Sequence, residues 1–246
     1  MKTLSSFFTA FLIAISAMTS CNEVETSCMN QLMDETTPTE NVLQIKYQGN
    51  LYNIKYTMQN DTTKVFNNPK IEELVERLNN GNYSNITHEN GLVEYFDTTE
   101  ELEKCIQNLL NESKIQTRIS GGTPRFTKCT LIVYENNNYG GKSLTYTNNV
   151  SVPDMRNALN ARPPMLFTNF DDMISSFKFS GTVSNTFPNN NNYGKAIVTF
   201  YKDLNYTSTA KSYVITPINK SASVSNFKDI KFDNTTTSLK VVLSNY

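Results

Sequence analysis

The chain has no tryptophan, one histidine and four cysteines among 246 residues, and each shortage removes a class of chemistry. With His88 as the single imidazole there is no Ser/His/Asp order to read, and no HExxH motif occurs. No two cysteines have metal-site spacing such as CxxC. No sign of charge predominates either. The net charge of −1 gives no long-range field to draw in nucleic acid, which is expected to be absent as a partner. The apolar run Phe7 to Met18 is too short for a comfortable membrane span, which takes ~20 residues. What is plentiful is Asn, Thr and Ser, a composition of strands joined by polar turns. The aromatic share of 11%, all Tyr and Phe, can fill cores.

Residues 1–21 read as a targeting segment: Lys2 supplies a positive start, and the apolar run ends in Met18-Thr19-Ser20-Cys21. Small residues before a Cys resemble a bacterial lipobox, with Met18 where Leu is usual. That resemblance implies a lipidated Cys21 and a membrane as partner; the alternative is an ordinary signal peptide cut near Ser20. Residues 22–41 are polar, acidic and without periodicity, as a tether is. Asn22, Glu23 and Glu25 resemble sorting and export signals of Bacteroidetes surface lipoproteins, which implies the outer membrane of a bacterial envelope. With Cys21 lipidated, Cys28, Cys105 and Cys129 leave one disulfide and one thiol open. Cys105–Cys129 is the first expectation, although nothing fixes the pairing.

Residues 42–112 read as a small α+β module in ββαββα order. Val42 to Tyr47 and Leu51 to Tyr56 alternate around the turn Gln48-Gly49-Asn50. Pro69 opens a helix with Ile71, Leu74, Val75 and Leu78 on one face, stopped at Gly81. A second hairpin is expected around Ile86 and Leu92 to Phe96. A helix then starts with capping chemistry at Thr98 to Glu101 and carries Leu102, Cys105, Ile106, Leu109 and Leu110. Such a unit is near the lower limit for an independent core. His88 beside Glu89 reads as a solvated histidine at a strand end, not as an acid–base pair, since no third group is in sight. Residues 113–125, with Ser120-Gly121-Gly122-Thr123-Pro124, are expected to form a linker.

From 126 to 246 the chain repeats itself. Thr130 to Tyr134 leads into Glu135 to Gly141 and a second strand, Lys142 to Tyr146. Ala196 to Tyr201 leads into Lys202 to Ser208 and a strand near Lys211 to Ile215. Each copy sets two aromatics five apart, Tyr134 with Tyr139 and Tyr201 with Tyr206. Gly141 follows in the first copy and Ser208 stands at its place in the second, where a distorted hairpin is expected. Asp171-Asp172-Met173-Ile174-Ser175-Ser176 and Asp233-Asn234-Thr235-Thr236-Thr237-Ser238 then each enter a strand.

These paired features resemble the βγ-crystallin family, in which an aromatic hairpin is followed by a calcium motif of that form. The resemblance covers about half of the chain and implies a mainly β fold: a Greek-key sandwich of two repeats behind the small module. It also implies two calcium ions, each held by oxygens from both repeats. The side-chain ligands would be Asp171, Asp172, Ser175, Asp233, Asn234 and Thr237, and the backbone carbonyls those of Met173, Thr235, Glu135 and Lys202. Such oxygens suit a hard cation taking six to eight of them. Two carboxylates in the first motif against one in the second imply unequal affinities. Residues 151–166 and 184–195 read as surface loops, either binding surfaces or tolerated insertions, with Asp154 to Leu159 as a helix candidate. Asn-x-Ser/Thr triplets at Asn205 and Asn234 are compositional in a bacterial protein. The expected function is that of a non-enzymatic, calcium-stabilised envelope lipoprotein with a glycan or protein partner. The alternative is an inhibitor of secreted proteases, presenting the Pro163-Pro164 segment.

Overall fold

A computed structural model describes residues 41–59, 63–116, 124–159, 167–184 and 193–245. Cys21, Cys28, the residues assigned to the leader, almost all of the tether, and the Pro163-Pro164 segment lie outside the described residues.

Strands β1 (Asn41–Tyr47) and β2 (Asn50–Gln59) form the predicted hairpin. Gln48 and Gly49 take φ of 48° and 77°, the two-residue turn whose twist matches that of the strands. Strand β3 (Thr63–Phe66) then pairs with β2; its four residues are too few to show a period. Helix α1 (Pro69–Asn80) starts where Asn68 Oδ1 accepts from Lys70 N at 3.0 Å. Strands β4 (Ser84–Thr87) and β5 (Val93–Phe96) follow. Helix α2 (Thr99–Gln116) begins with Glu101 N donating to Thr98 Oγ1 at 3.2 Å. The order is therefore βββαββα, one strand more than expected. Because α2 runs to Gln116 and the next strand opens at Arg125, the connection is also shorter than 113–125.

The carboxyl-terminal half contains β6 (Arg125–Asn136), β7 (Gly140–Thr147), β8 (Val150–Val152), β9 (Ala158–Leu159), β10 (Phe167–Thr168), β11 (Ser176–Ser184), β12 (Tyr193–Tyr201), β13 (Ala210–Ile215), β14 (Ser221–Val224) and β15 (Ser238–Asn245). One layer has the order β14-β11-β6-β7 and the other β8-β15-β12-β13. The third strand of each repeat, β8 or β14, thus crosses to the other repeat's layer. Between the layers, Phe177 lies 4.9 Å from both Phe200 and Tyr213, ring centre to ring centre. Such clusters bury more apolar area per residue than aliphatic ones and favour tilted contacts. Asp154 to Leu159 is not an α-helix: Asp154 caps a single 3₁₀ turn at Met155–Asn157, and β9 follows.

The amino-terminal unit joins the Greek-key half through its sheet. Its sheet runs β3-β2-β1-β5-β4, and β4 pairs in parallel with β13, so the two halves share one sheet. Helix α2 lies across the outer face of the joined strands. There Leu102, Ile106 and Leu110 pack on Ile86, Ile197, Tyr201, Ala210 and Val214. The physical reason is visible along β13, where all six residues are buried: a strand buried on both faces needs a cover on each. Ala210 N also donates to Ser84 Oγ at 3.0 Å, and Lys240 Nζ pairs with Glu103 Oε1 at 3.3 Å.

The expected Cys105–Cys129 disulfide is absent; both thiols are free. Cys129 is in the sandwich core, whereas Cys105 packs with α2 on the outside of the sheet. Burial pushes their thiols up to about 12 and about 11, respectively, which disfavours the nucleophilic thiolate at both.

Candidate metal centre

Two hairpins set the geometry, and they match. Tyr134 and Tyr139 meet edge to face at 5.7 Å, and Tyr201 and Tyr206 do so at 5.6 Å. Lys178 and Lys240 each place Nζ 4.1 Å from the centre of the folded-over ring, Tyr139 or Tyr206. Left-handed φ values recur in step: 54° at Asn138 with 56° at Asn205, 63° at Tyr139 and Tyr206, and 72° at Gly141 with 63° at Ser208. The second hairpin is therefore not distorted. Ser208 adopts the conformation that glycine would take without strain, and the cost falls on that residue alone. Ser208→Gly is expected to stabilise the chain by about 1 kcal/mol, read as a higher midpoint in urea. Gly141→Ala should do the opposite, because a Cβ there would sit 2.8 Å from Asn136 Nδ2.

The sixth residue of each motif staples its own hairpin. Ser176 Oγ donates to Asn136 O at 2.7 Å and accepts from Tyr139 N at 3.1 Å. Ser238 Oγ likewise donates to Asp203 O at 2.6 Å and accepts from Tyr206 N at 3.1 Å. Both serines are fully buried, so their hydroxyls are structural.

The fifth residue reaches the other repeat. Ser175 Oγ donates to Asn234 Oδ1 at 3.0 Å, and Thr237 Oγ1 donates to Asp172 Oδ1 at 3.3 Å. Asp172 and Asn234 stand at left-handed φ of 50° and 49°, a conformation that Asn and Asp accept more readily than other side-chain-bearing residues. Ser175 N donates to Tyr134 O and Thr237 N to Tyr201 O, both at 3.0 Å. Those bonds bring each motif one residue from Glu135 or Lys202. The first grouping is thus Ser175, Asn234 and Thr235 beside Glu135, and the second is Thr237, Asp172 and Met173 beside Lys202. The Met173 side chain packs on the core and leaves its backbone facing the grouping, while Thr235 Oγ1 donates to Phe232 O at 3.0 Å.

The first residue of each motif behaves differently from the second. Asp171 Oδ1 and Asp233 Oδ1 are buried with no hydrogen-bond partner, while Asp233 Oδ2 is 3.9 Å from Lys228 Nζ. A carboxylate oxygen left so is expensive unless a donor or a cation completes it. Negative charge gathers at the second grouping. Burial first, then repulsion from Asp171, lifts Asp172 above the usual carboxylate range. A hydrogen bond from Thr237 opposes the shift, and Asp203 adds to it. Sequence reasoning missed Asp203; the signal was an acid one residue past Lys202, where the first hairpin has Asn136. It also divided the charge by motif, whereas exchange between repeats puts the amide Asn234 in one grouping and the carboxylate Asp172 in the other. Glu135 has its carboxylate occupied, accepting from Lys142 N at 3.0 Å.

Among the described residues no three His, Cys, Asp or Glu side chains form a metal cluster. Any cation held here would rest on amide, hydroxyl and carbonyl oxygens as much as on carboxylates, a donor set that suits hard divalent ions. His88 is neither solvated nor paired with Glu89. Its Nε2 lies 3.2 Å from Glu94 Oε2, Lys46 Nζ lies 2.7 Å from Glu94 Oε1, and the imidazole side chain is 13% exposed. The hydrogen bond from His88, ahead of those from Lys46 and against the burial penalty, holds the Glu94 carboxyl below its ordinary 4.5. A depressed carboxyl contributes stability that is present above its unfolded pKa and lost as pH falls through its folded one. Glu94→Gln should therefore flatten the loss of stability in denaturant melts stepped from pH 5 downward.

The exchange of third strands between two matched hairpin repeats is the fold of βγ-crystallin domains. Solved structures similar to this half include a βγ-crystallin from an archaeon, 24% identical, covering 46% of this chain and 95% of its own, with a TM-score of 0.29. A βγ-crystallin from Ciona intestinalis is 20% identical over 45% of this chain and 96% of its own, with a TM-score of 0.27. Spherulin 3A from Physarum polycephalum is 17% identical over 52% and 93%, with a TM-score of 0.28. No family model matches the chain, and no curated protein does.

Proposed function

We propose that the chain is a non-enzymatic, calcium-binding protein of a bacterial envelope, anchored through a lipid at Cys21, whose Greek-key half is stabilised by two calcium ions. The observation that carries the metal reading is the reciprocal contact between repeats, Ser175 with Asn234 and Thr237 with Asp172. Each pair brings two oxygens together beside a hairpin, and each motif keeps an orphaned carboxylate oxygen in reserve. An ion at either grouping would join the two repeats, and binding only the folded chain would raise its stability by mass action. The chain's task would then be to hold a rigid surface toward an extracellular glycan or protein.

The test is calorimetric titration of calcium into chelator-treated chain starting at Asn22, with thermal melts run alongside. Saturation near two ions per chain and a higher midpoint support the reading. Absence of heat and of any shift at millimolar calcium removes the metal from the function. For the anchor, incorporation of labelled fatty acid in a bacterial host should be abolished by Cys21→Ser. Label that persists in this variant overturns the lipid at that residue.

A further inference from the structure

Where the loop after α1 meets β13 and the turn at Lys231, the molecule forms a partly open cavity of about 160 Å³. Lys202, Lys211 and Lys231 line it, together with Asn79, Asn82 and Thr209, and among the described residues no carboxylate does. Lys211 is 8% exposed and stands on β13 between Phe200 of β12 and Asn85 of β4. Among the described residues none of the three lysines has an ion-pair partner. The Lys202 ammonium lies 5.7 Å from the centre of the Phe232 ring.

An ammonium taken out of water costs several kcal/mol unless an opposite charge or a set of acceptors meets it. Here the neighbours make matters worse. Burial first, and the like charge of Lys202 second, push Lys211 down to about 8. Three lysines converging without a counter-charge form an arrangement that an anion would complete. Amide and hydroxyl groups at Asn79, Asn82 and Thr209 supply further donors.

We propose that this cavity binds a single tetrahedral oxyanion, a phosphate or sulfate group, between the amino-terminal unit and the Greek-key half. Its volume is below the ~300 Å³ at which pockets for larger organic ligands begin, so an ion or one charged substituent fits and a whole sugar does not. The attraction comes from the lysines and not from the helix: α1 presents its carboxyl end here, and Gly81 N is spent on Arg77 O at 2.9 Å. The lysines come from one half of the chain and the asparagines from the other, so a bound oxyanion would tighten the junction.

The experiment is a thermal melt of the chain starting at Asn22, in chelator and at fixed ionic strength, with sulfate, phosphate, chloride or a sulfated monosaccharide. Chelator keeps the result independent of any calcium site. A saturable rise with sulfate and phosphate but not with chloride is expected. It should vanish in Lys211→Met and need about tenfold more anion in Lys231→Gln, as loss of a charge-assisted hydrogen bond implies. A rise with the sulfated sugar as well would make the natural ligand a substituent on a glycan, and none would make it the free ion. A shift that grows linearly and persists in both variants is the general stabilisation by excluded salts and overturns the proposal. Equal melts in every salt overturn it too. Should Lys211→Met fail to fold, the surface change Lys231→Gln decides alone.

Discussion

Leu102→Ala will lower the stability of the whole chain by about 2–5 kcal/mol and leave a single unfolding transition. Leu102 is fully buried on α2, against strands that belong to both halves. Its removal opens a cavity in the layer that covers the outer face of β12 and β13. If the halves were independent domains, the loss would appear as an early transition, with the Greek-key half melting later and unchanged. The shared sheet argues otherwise: with β4 hydrogen-bonded to β13, loosening α2 exposes Ile197, Tyr201 and Val214 together. Far-ultraviolet dichroism and tyrosine fluorescence, followed through one urea titration, separate the outcomes. Coincident curves at a lower midpoint support a single cooperative body, and split curves refute it. Leu51→Ala is the control. That side chain is 57% exposed, and its loss should stay within about 0.5 kcal/mol.

The second large effect concerns Asp172, and its sign depends on calcium. Without metal, burial and the charges of Asp171 and Asp203 work against the ionised carboxylate, so its folded pKa lies above the ordinary 3.8. A group so shifted holds its proton more tightly in the native state, and stability falls as pH rises from the ordinary value through the raised one. Asp172→Asn should therefore be neutral to stabilising in chelator at pH 7, with the advantage gone below about pH 4, where the wild-type carboxyl is already protonated. In calcium the order reverses. Losing the carboxylate that meets Thr237 across the repeats should weaken binding there tenfold or more, ~1.4 kcal/mol or above, and shrink the calcium-induced rise in melting midpoint. Asn234→Asp makes the complementary change at the other grouping and should tighten it. If Asp172→Asn alters calcium heats no more than an exposed substitution does, Asp172 is not a ligand.

Much of this was legible in order along the chain. The hairpin at Gln48-Gly49, the helix start at Pro69, the cap at Thr98, and the two aromatic pairs are local devices. Local dihedral preference and hydrogen bonding act over a few residues, so they leave a mark in the sequence. Strand β3 was missed because four residues carry no period, and the disulfide was misjudged because spacing says nothing of which face of a sheet a cysteine occupies. At the candidate site, residue types could be read but not their grouping. Asp171 and Asp172 are adjacent in sequence, yet one has an orphaned buried oxygen while the other meets Thr237 from the far repeat. The reason lies in one left-handed φ at Asp172, which separates the directions of two neighbouring carboxylates.

Local chemistry determined the elements, the repeat, and the oxygen-rich character of the loops that end each motif. The tertiary structure alone decided that β4 extends the sheet of the Greek-key half, that Ser175 meets Asn234 while Thr237 meets Asp172, and that Lys202, Lys211 and Lys231 line one cavity. Each of those outcomes depends on how strands exchange between layers and how β4 extends a sheet. Pairings over tens of residues are selected by the burial of whole faces, a quantity that no short stretch of sequence contains.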